Sequence, residues 1–190
     1  VITVRRAEPT DAVAIAAVHV AAWRSTYPGI LPDAYLARMS VTRQAIGYER
    51  SIRRGISVHV AQNSLPAQGQ PASGRPRIVG FATGAPHAHA LGDGEIETLY
   101  VLDDWRDLGI GRGLMAAVAR DLAGTGCASA YCWVLRDNPS RWFYQRVGGR
   151  PAATATVRVA GLAIPQTAFV WDPIDRLFAP AEGAGDSSGA

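Results

Sequence analysis

The chain has 190 residues, 48% hydrophobic and 18% charged, with a formal net charge of +3, which fits one globular domain with a sizeable core and excludes a chain that is disordered as a whole. All 19 basic residues are arginine, so chemistry that needs a lysine, such as a Schiff base or a P-loop, is excluded; the scattered arginines form no run that would suggest a nucleic-acid tract. No apolar run approaches the ~18 residues needed to span a bilayer. The opening Val1–Arg6 turns polar too quickly for a secretion signal, so a cytoplasmic protein is expected.

Ile2 to Ala7 alternates and predicts a first strand. Pro9-Thr10-Asp11 predicts a helix start with Thr10 as N-cap, and Ala12 to Ser25 follows at helical period up to the break at Pro28-Gly29. Ala34 to Met39 predicts a short helix, and Ser40 or Thr42 caps another that reaches Arg54. Ile56 to Gln62 and Arg77 to Ala85 read as strands, joined by a loop at residues 63–76 that is rich in Pro, Gly, Ser and Gln. A turn is expected at His87 to Gly94, a strand at Glu95 to Leu102, a helix at Ile110 to Ala123 and a strand at Ala128 to Leu135. Asn138-Pro139 opens a helix to Val147, and strands at Ala153 to Val159 and Ala163 to Trp171 close the domain. The domain is expected over residues 1–172, with a C-terminal extension at 173–190 that is disordered from about 179. Three consecutive central strands argue for hairpins and a mixed α/β sheet.

The most informative stretch is Arg106-Asp107-Leu108-Gly109-Ile110-Gly111-Arg112-Gly113, between a strand and a helix. The helix start leaves backbone N–H groups unpaired, the helix dipole adds positive charge, and glycine lets a bulky anion approach. With Arg106 and Arg112 beside it, the turn reads as a pyrophosphate cradle. Gly111 to Ala116 also matches a dinucleotide-binding pattern, but Asp103 to Leu108 separate it from the strand end, where that pattern needs a tight turn. Cys127 and Cys132 read as two reduced thiols. His87 and His89 lack further metal ligands at a recognisable spacing, so no metal site is expected.

Arg106-x-x-Gly109-x-Gly111 after a strand resembles the acyl-CoA signature of the GNAT N-acetyltransferase superfamily, and the element order over residues 1 to 172 is similar to that family. The segment Asn138 to Gly149 resembles a second family motif through Phe143-Tyr144 and Gly148, although Gly149 stands where an aromatic is usual. Trp23 to Pro32 resembles the acceptor-side segment of a large GNAT subgroup.

The resemblance implies a twisted mixed sheet of about seven strands with helices on both faces. It implies acetyl transfer from acetyl-CoA to a primary amine by direct attack, without a metal. The amides of Leu108, Gly109, Ile110, Gly111 and Arg112 would hold the pyrophosphate, with Arg106 and Gly113 completing the turn. An amide among Leu99, Tyr100 and Val101 would polarise the acetyl carbonyl, and either Asn138 or Asp137 would contact the pantetheine arm. Tyr144 would protonate the leaving thiolate, Glu95 or Glu97 would serve as base, and Trp23 and Tyr27 would line the acceptor groove. An exposed late strand in the family often pairs copies into a homodimer. The alternative from another class is an acyl-CoA-binding regulatory domain without turnover.

Overall fold

The computed structural model describes residues 1–64 and 76–178. Its elements in chain order are β1 (Ile2–Arg6), α1 (Ala12–Thr26), α2 (Asp33–Ala37), α3 (Val41–Arg53), β2 (Ser57–Asn63), β3 (Arg77–His89), β4 (Gly92–Val101), α4 (Ile110–Gly124), β5 (Ala130–Leu135), α5 (Arg141–Arg146), β6 (Arg150–Val159) and β7 (Leu162–Trp171). The seven strands form one sheet in the order β1-β2-β3-β4-β5-β7-β6. Every neighbouring pair is antiparallel except β4 and β5. This is the mixed sheet expected from the hairpin pattern.

Helices cover both faces. On one, Ile15 and Val18 of α1 pack with Val58, Val60 and Phe81, and Tyr48 and Ile52 of α3 close the edge. On the other, Leu114, Met115 and Val118 of α4 pack on Val79, Ala82 and Ile96. Phe81 and Leu114 are fully buried, and each such side chain contributes about 1.5–3 kcal/mol of transfer free energy. A third cluster joins Tyr27, Leu31 and Leu36 of the α1–α2 region to Ile164 of β7, with Val157 and Val159 of β6 against it. That contact brings the start of the chain to its late strands and closes one end of the site described below.

Four local expectations are corrected. Thr10 does not cap α1: Pro9–Asp11 forms a short 3-10 turn instead. There the Asp11 carboxylate accepts the Glu8 N–H at 2.8 Å and pairs with Arg5 at 2.7 Å. The expected turn at 87–94 is a hairpin in which β3 runs on to His89 and β4 starts at Gly92. Asn138 does not begin α5, because its Oδ1 accepts the Ser140 N–H at 2.8 Å and holds a turn ahead of Arg141. β6 starts at Arg150, before the expected Ala153, with a bulge between Pro151 and Ala153 that a sheet-edge strand tolerates. Of the two candidate caps for α3, Ser40 is the one used, its Oγ accepting the Arg43 N–H at 3.3 Å.

Beyond β7, Ile174 and Leu177 are buried in a 3-10 turn and Arg120 of α4 lies over the Phe178 ring, so the extension begins with a packed segment. The loop expected at 63–76 lies, over 65–75, outside the described residues, as does the tail from 179.

Candidate active site

The site originates in the single parallel contact of the sheet. β4 and β5 match only at Gly94–Ala130 and Glu95–Tyr131, and β5 then follows β7 antiparallel along its whole length. Beyond Glu95 the two strands part, and the gap opens into two adjoining cavities. The larger, about 590 Å³, runs from the strand gap to the glycine-rich turn between β4 and α4. The smaller, about 200 Å³, lies on the side of β6 and β7. Tyr27, Leu99, Tyr100, Asn138 and Tyr144 line both.

The turn has the expected form. Gly109 adopts φ +76°, a left-handed conformation suited to glycine, and the first helical bond of α4 runs from Gly113 N–H to the Gly109 carbonyl. The amides of Ile110, Gly111 and Arg112 precede that bond and have no partner within the helix. Gly113 does not belong to the donor set, since its N–H is spent in the helix and its Cα faces Val4. The Leu108 side chain is 62% exposed and lies outside the cavity lining. A Cβ on Gly111 would come within 3.1 Å of the Phe143 ring, which narrows this end of the cavity from α5. Arg106, Arg112 and Arg146 line the cavity. Arg106 is steered by Asp103 at 2.8 Å and Thr26 at 3.2 Å, and Arg112 reaches the Arg146 carbonyl at 3.5 Å.

Backbone direction decides among the three β4 amides. Leu102 donates its N–H to the Val79 carbonyl of β3. Alternation along the strand then turns the Tyr100 amide toward β3 and leaves those of Leu99 and Val101 facing the gap. Tyr100 contributes its ring instead, stacked on His19 at 5.2 Å.

The two glutamates are separated by a β-bulge. Thr83 pairs with Thr98, but Gly84 pairs with Ile96, so Glu97 is the extra residue. Its carboxylate lines the smaller cavity and accepts a hydrogen bond from Thr83 Oγ1 at 3.3 Å. Partial desolvation raises the Glu97 carboxyl above its ordinary range; the Thr83 hydrogen bond opposes this and the charge of Glu95 adds to it. Glu95 lies outside both linings. It accepts from Tyr131 OH at 3.1 Å and sits 3.1 Å from His87 Nδ1, which is itself 2.6 Å from the Tyr131 oxygen.

Tyr144 is half-buried on α5, stacked on Phe169 with ring centroids 5.6 Å apart. Burial raises its phenol well above the ordinary value. Gly149 makes this placement possible: a Cβ there would come within 2.7 Å of both the Tyr144 carbonyl and the Trp171 ring. The Trp171 indole thus occupies space beside Gly149, where the related motif has an aromatic residue, and its N–H donates to the Val147 carbonyl at 3.0 Å. Asn138 donates through Nδ2 to the Tyr27 hydroxyl at 3.2 Å and lines both cavities. Asp137 pairs with Arg136 at 3.2 Å, outside both linings.

Several lining residues escaped the sequence reading. Trp133, Val157, Val159 and Gln166 wall the smaller cavity, and Trp142 lies along the larger one. Trp133 was the findable one, because it alternates with Cys132 on the strand expected beside β4. Among the described residues no group of three or more His, Cys, Asp or Glu could hold a metal ion, and no helix is long and apolar enough to cross a membrane.

A mixed sheet split beside a glycine-rich helix start, with two cavities meeting at the split, defines an acyltransferase of the GNAT type. The profile of the Acetyltransferase (GNAT) family matches residues 45–149. The chain is 31% identical over 178 residues to the uncharacterized N-acetyltransferase YuaI of Bacillus subtilis (strain 168), covering 93% of this chain and 96% of that protein. The chain belongs to the GNAT acetyltransferase family. Its fold is similar to that of YncA from Salmonella typhimurium, solved with its cofactor acetyl-CoA (TM-score 0.64, 18% identity, 98% and 99% of the two chains). It is also similar to the PaiA N-acetyltransferase of Thermoplasma acidophilum in complex with coenzyme A (TM-score 0.61, 17% identity, 88% and 98%).

Proposed function

We propose that the protein transfers an acetyl group from acetyl-CoA to a primary amine by direct attack within a ternary complex, in the cytoplasm where that thioester is made. The observation that carries the reading is the junction of the two cavities at Leu99, Tyr100, Asn138 and Tyr144. The residues of the larger cavity fit a pyrophosphate and a slender arm: three amides without a partner in the helix and Arg112 at the turn, then the gap-facing edge of β4. The fold relatives from Salmonella typhimurium and Thermoplasma acidophilum were solved with acetyl-CoA and coenzyme A respectively, which supports the same use here.

Each residue then has a task in this reading. The gap-facing amides of Leu99 and Val101 polarise the acetyl carbonyl. Glu97 takes the proton that an ammonium must lose before it can attack, and its raised carboxyl strengthens it as a base. Glu95, held by Tyr131 and His87, adds negative charge behind Glu97. Tyr144 keeps its proton at neutral pH and delivers it to the departing sulfur, whose anion is destabilised by the same desolvation. Cys132 lines the smaller cavity, but burial pushes its thiol up and away from thiolate, so it does not serve as a nucleophile.

The test is thiol release from acetyl-CoA with a panel of amines, together with product mass. Acceptor-dependent release with a gain of one acetyl group on the amine is expected. Tight acetyl-CoA binding without release across the panel would instead support a binding domain without turnover.

A further inference from the structure

The walls of the smaller cavity carry information about the acceptor. Trp23 and Tyr27 meet edge to face at 5.0 Å, and Tyr100 lies 6.4 Å from Trp23, so three rings form one wall. Trp133 and Tyr144 add rings, and Leu135, Val157 and Val159 add apolar surface. Among the described residues, Glu97 is the one lining residue with a carboxylate, and no arginine or histidine lines the cavity.

Three arginines on or beside the lining elements are committed elsewhere, and Arg146 of α5 lines the larger cavity instead. Arg24 donates to the carbonyls of Leu36, Ala37 and Met39. Arg136 pairs with Asp137, and Arg158 donates to the Gly161 carbonyl at 3.4 Å. An acceptor bearing a carboxylate beside its amine would therefore face Glu97, with Glu95 behind it, and meet no counter-charge. Like charges brought together in a partly desolvated site repel strongly. A protonated amine meets the opposite situation, a carboxylate in a cavity walled by aromatic rings, which attract cations through their faces.

We propose that this cavity selects a small primary amine with an aromatic or bulky apolar body and no carboxylate next to the nitrogen, that is, an arylalkylamine-type acceptor in place of an amino acid. The proposal rests on the acetyl-transfer reading for its chemistry, while the selectivity follows from the wall itself. Glu97 both attracts the ammonium and removes its proton. The rings hold the body, and Gln166 and Thr98 supply neutral polar contacts at the cavity wall.

The experiment compares pairs that differ by one carboxylate: phenethylamine with phenylalanine, and tyramine with tyrosine. A tripeptide with a free N-terminus is included. Steady-state kcat/KM is measured for each, and each is titrated calorimetrically into the CoA-saturated protein, which reads selectivity without turnover. The amine of each pair is expected to exceed its amino acid at least ~10-fold in both measurements. Gln166→Arg, which adds a counter-charge to the wall, is expected to shrink that ratio.

Amino acids or the peptide used or bound as well as the matched amines would overturn the proposal. Selective binding of the amines without thiol release would leave the proposal standing and remove the acetyl-transfer reading. Thiol release with no preference within the pairs would do the reverse.

Discussion

The two cavities that meet at the split between β4 and β5 are built by different means. The larger is centred on backbone: amides without a helical partner at the start of α4, two glycines and a ladder edge left open when β5 departs to β7, with Arg106, Arg112 and Arg146 around it. The smaller is made of side chains drawn from α1, β4, β5, β6 and β7. A backbone cradle binds what every member of a fold can bind, because it depends on conformation and little on residue identity. A side-chain box depends on the few residues that wall it. Under the proposed function the difference separates a donor site of general design from an acceptor site peculiar to this chain.

The largest effect is expected at the box. Glu97→Gln should lower kcat/KM by ~100- to 1,000-fold, the range for a lost general base. It should also abolish the acid limb of the pH profile. In the wild type, kcat/KM is expected to fall as pH drops through the raised Glu97 pKa, because the proposed working form is the carboxylate. The same limb in Glu95→Gln should remain.

Next comes the cradle. Gly111→Val places a branched side chain between the turn and Phe143 and should raise the KM for acetyl-CoA by ~100-fold, with secondary structure by circular dichroism retained. An unchanged KM would show that the donor avoids this turn. At the junction, Tyr144→Phe should lower kcat by ~10- to 100-fold while the KM for acetyl-CoA changes little, as for a proton donor. Asn138→Ala removes the Tyr27 and Ser140 hydrogen bonds at once and should cost about 1–2 kcal/mol of stability by urea denaturation.

The smallest effect on rate is expected behind the box. Burial pushes His19 down to about 4, so the folded state holds it neutral where the unfolded chain takes a proton. Between pH 6.5 and about 4 the unfolded state binds more protons, and stability should fall as pH drops through that window, by at most roughly 3 kcal/mol from this group. Urea midpoints across the window should flatten in His19→Gln, whereas kcat at neutral pH should change little.

The same contrast explains what could be read in the sequence. The strands, the α4 turn and Phe143-Tyr144 are local patterns, and each was legible because its physics lies within a dozen neighbouring residues. The bulge at Glu97 was not, since it is defined by pairing with Thr83 and Gly84 across β3. Gly149 broke the related motif for a reason visible only once Trp171 is seen against it. Val157 and Val159 came to the site through the α1–α2 contact with the late strands, and Gln166 through its pairing with Leu135 of β5, long-range events with no local signature. The turn expected at 87–94 failed for a similar reason. Gly92 and Gly94 read as loop residues, yet in β4 they make room for Ser129 and Leu122 against the strand.

The most direct test of the division between donor cradle and acceptor box is a pair of acetyl-CoA titrations beside a pair of rate measurements. Glu97→Gln is expected to bind acetyl-CoA with the wild-type Kd while losing turnover, and Gly111→Val is expected to lose affinity in proportion to kcat/KM. Weakened acetyl-CoA binding in Glu97→Gln, or wild-type turnover in that variant with every amine, would contradict the account.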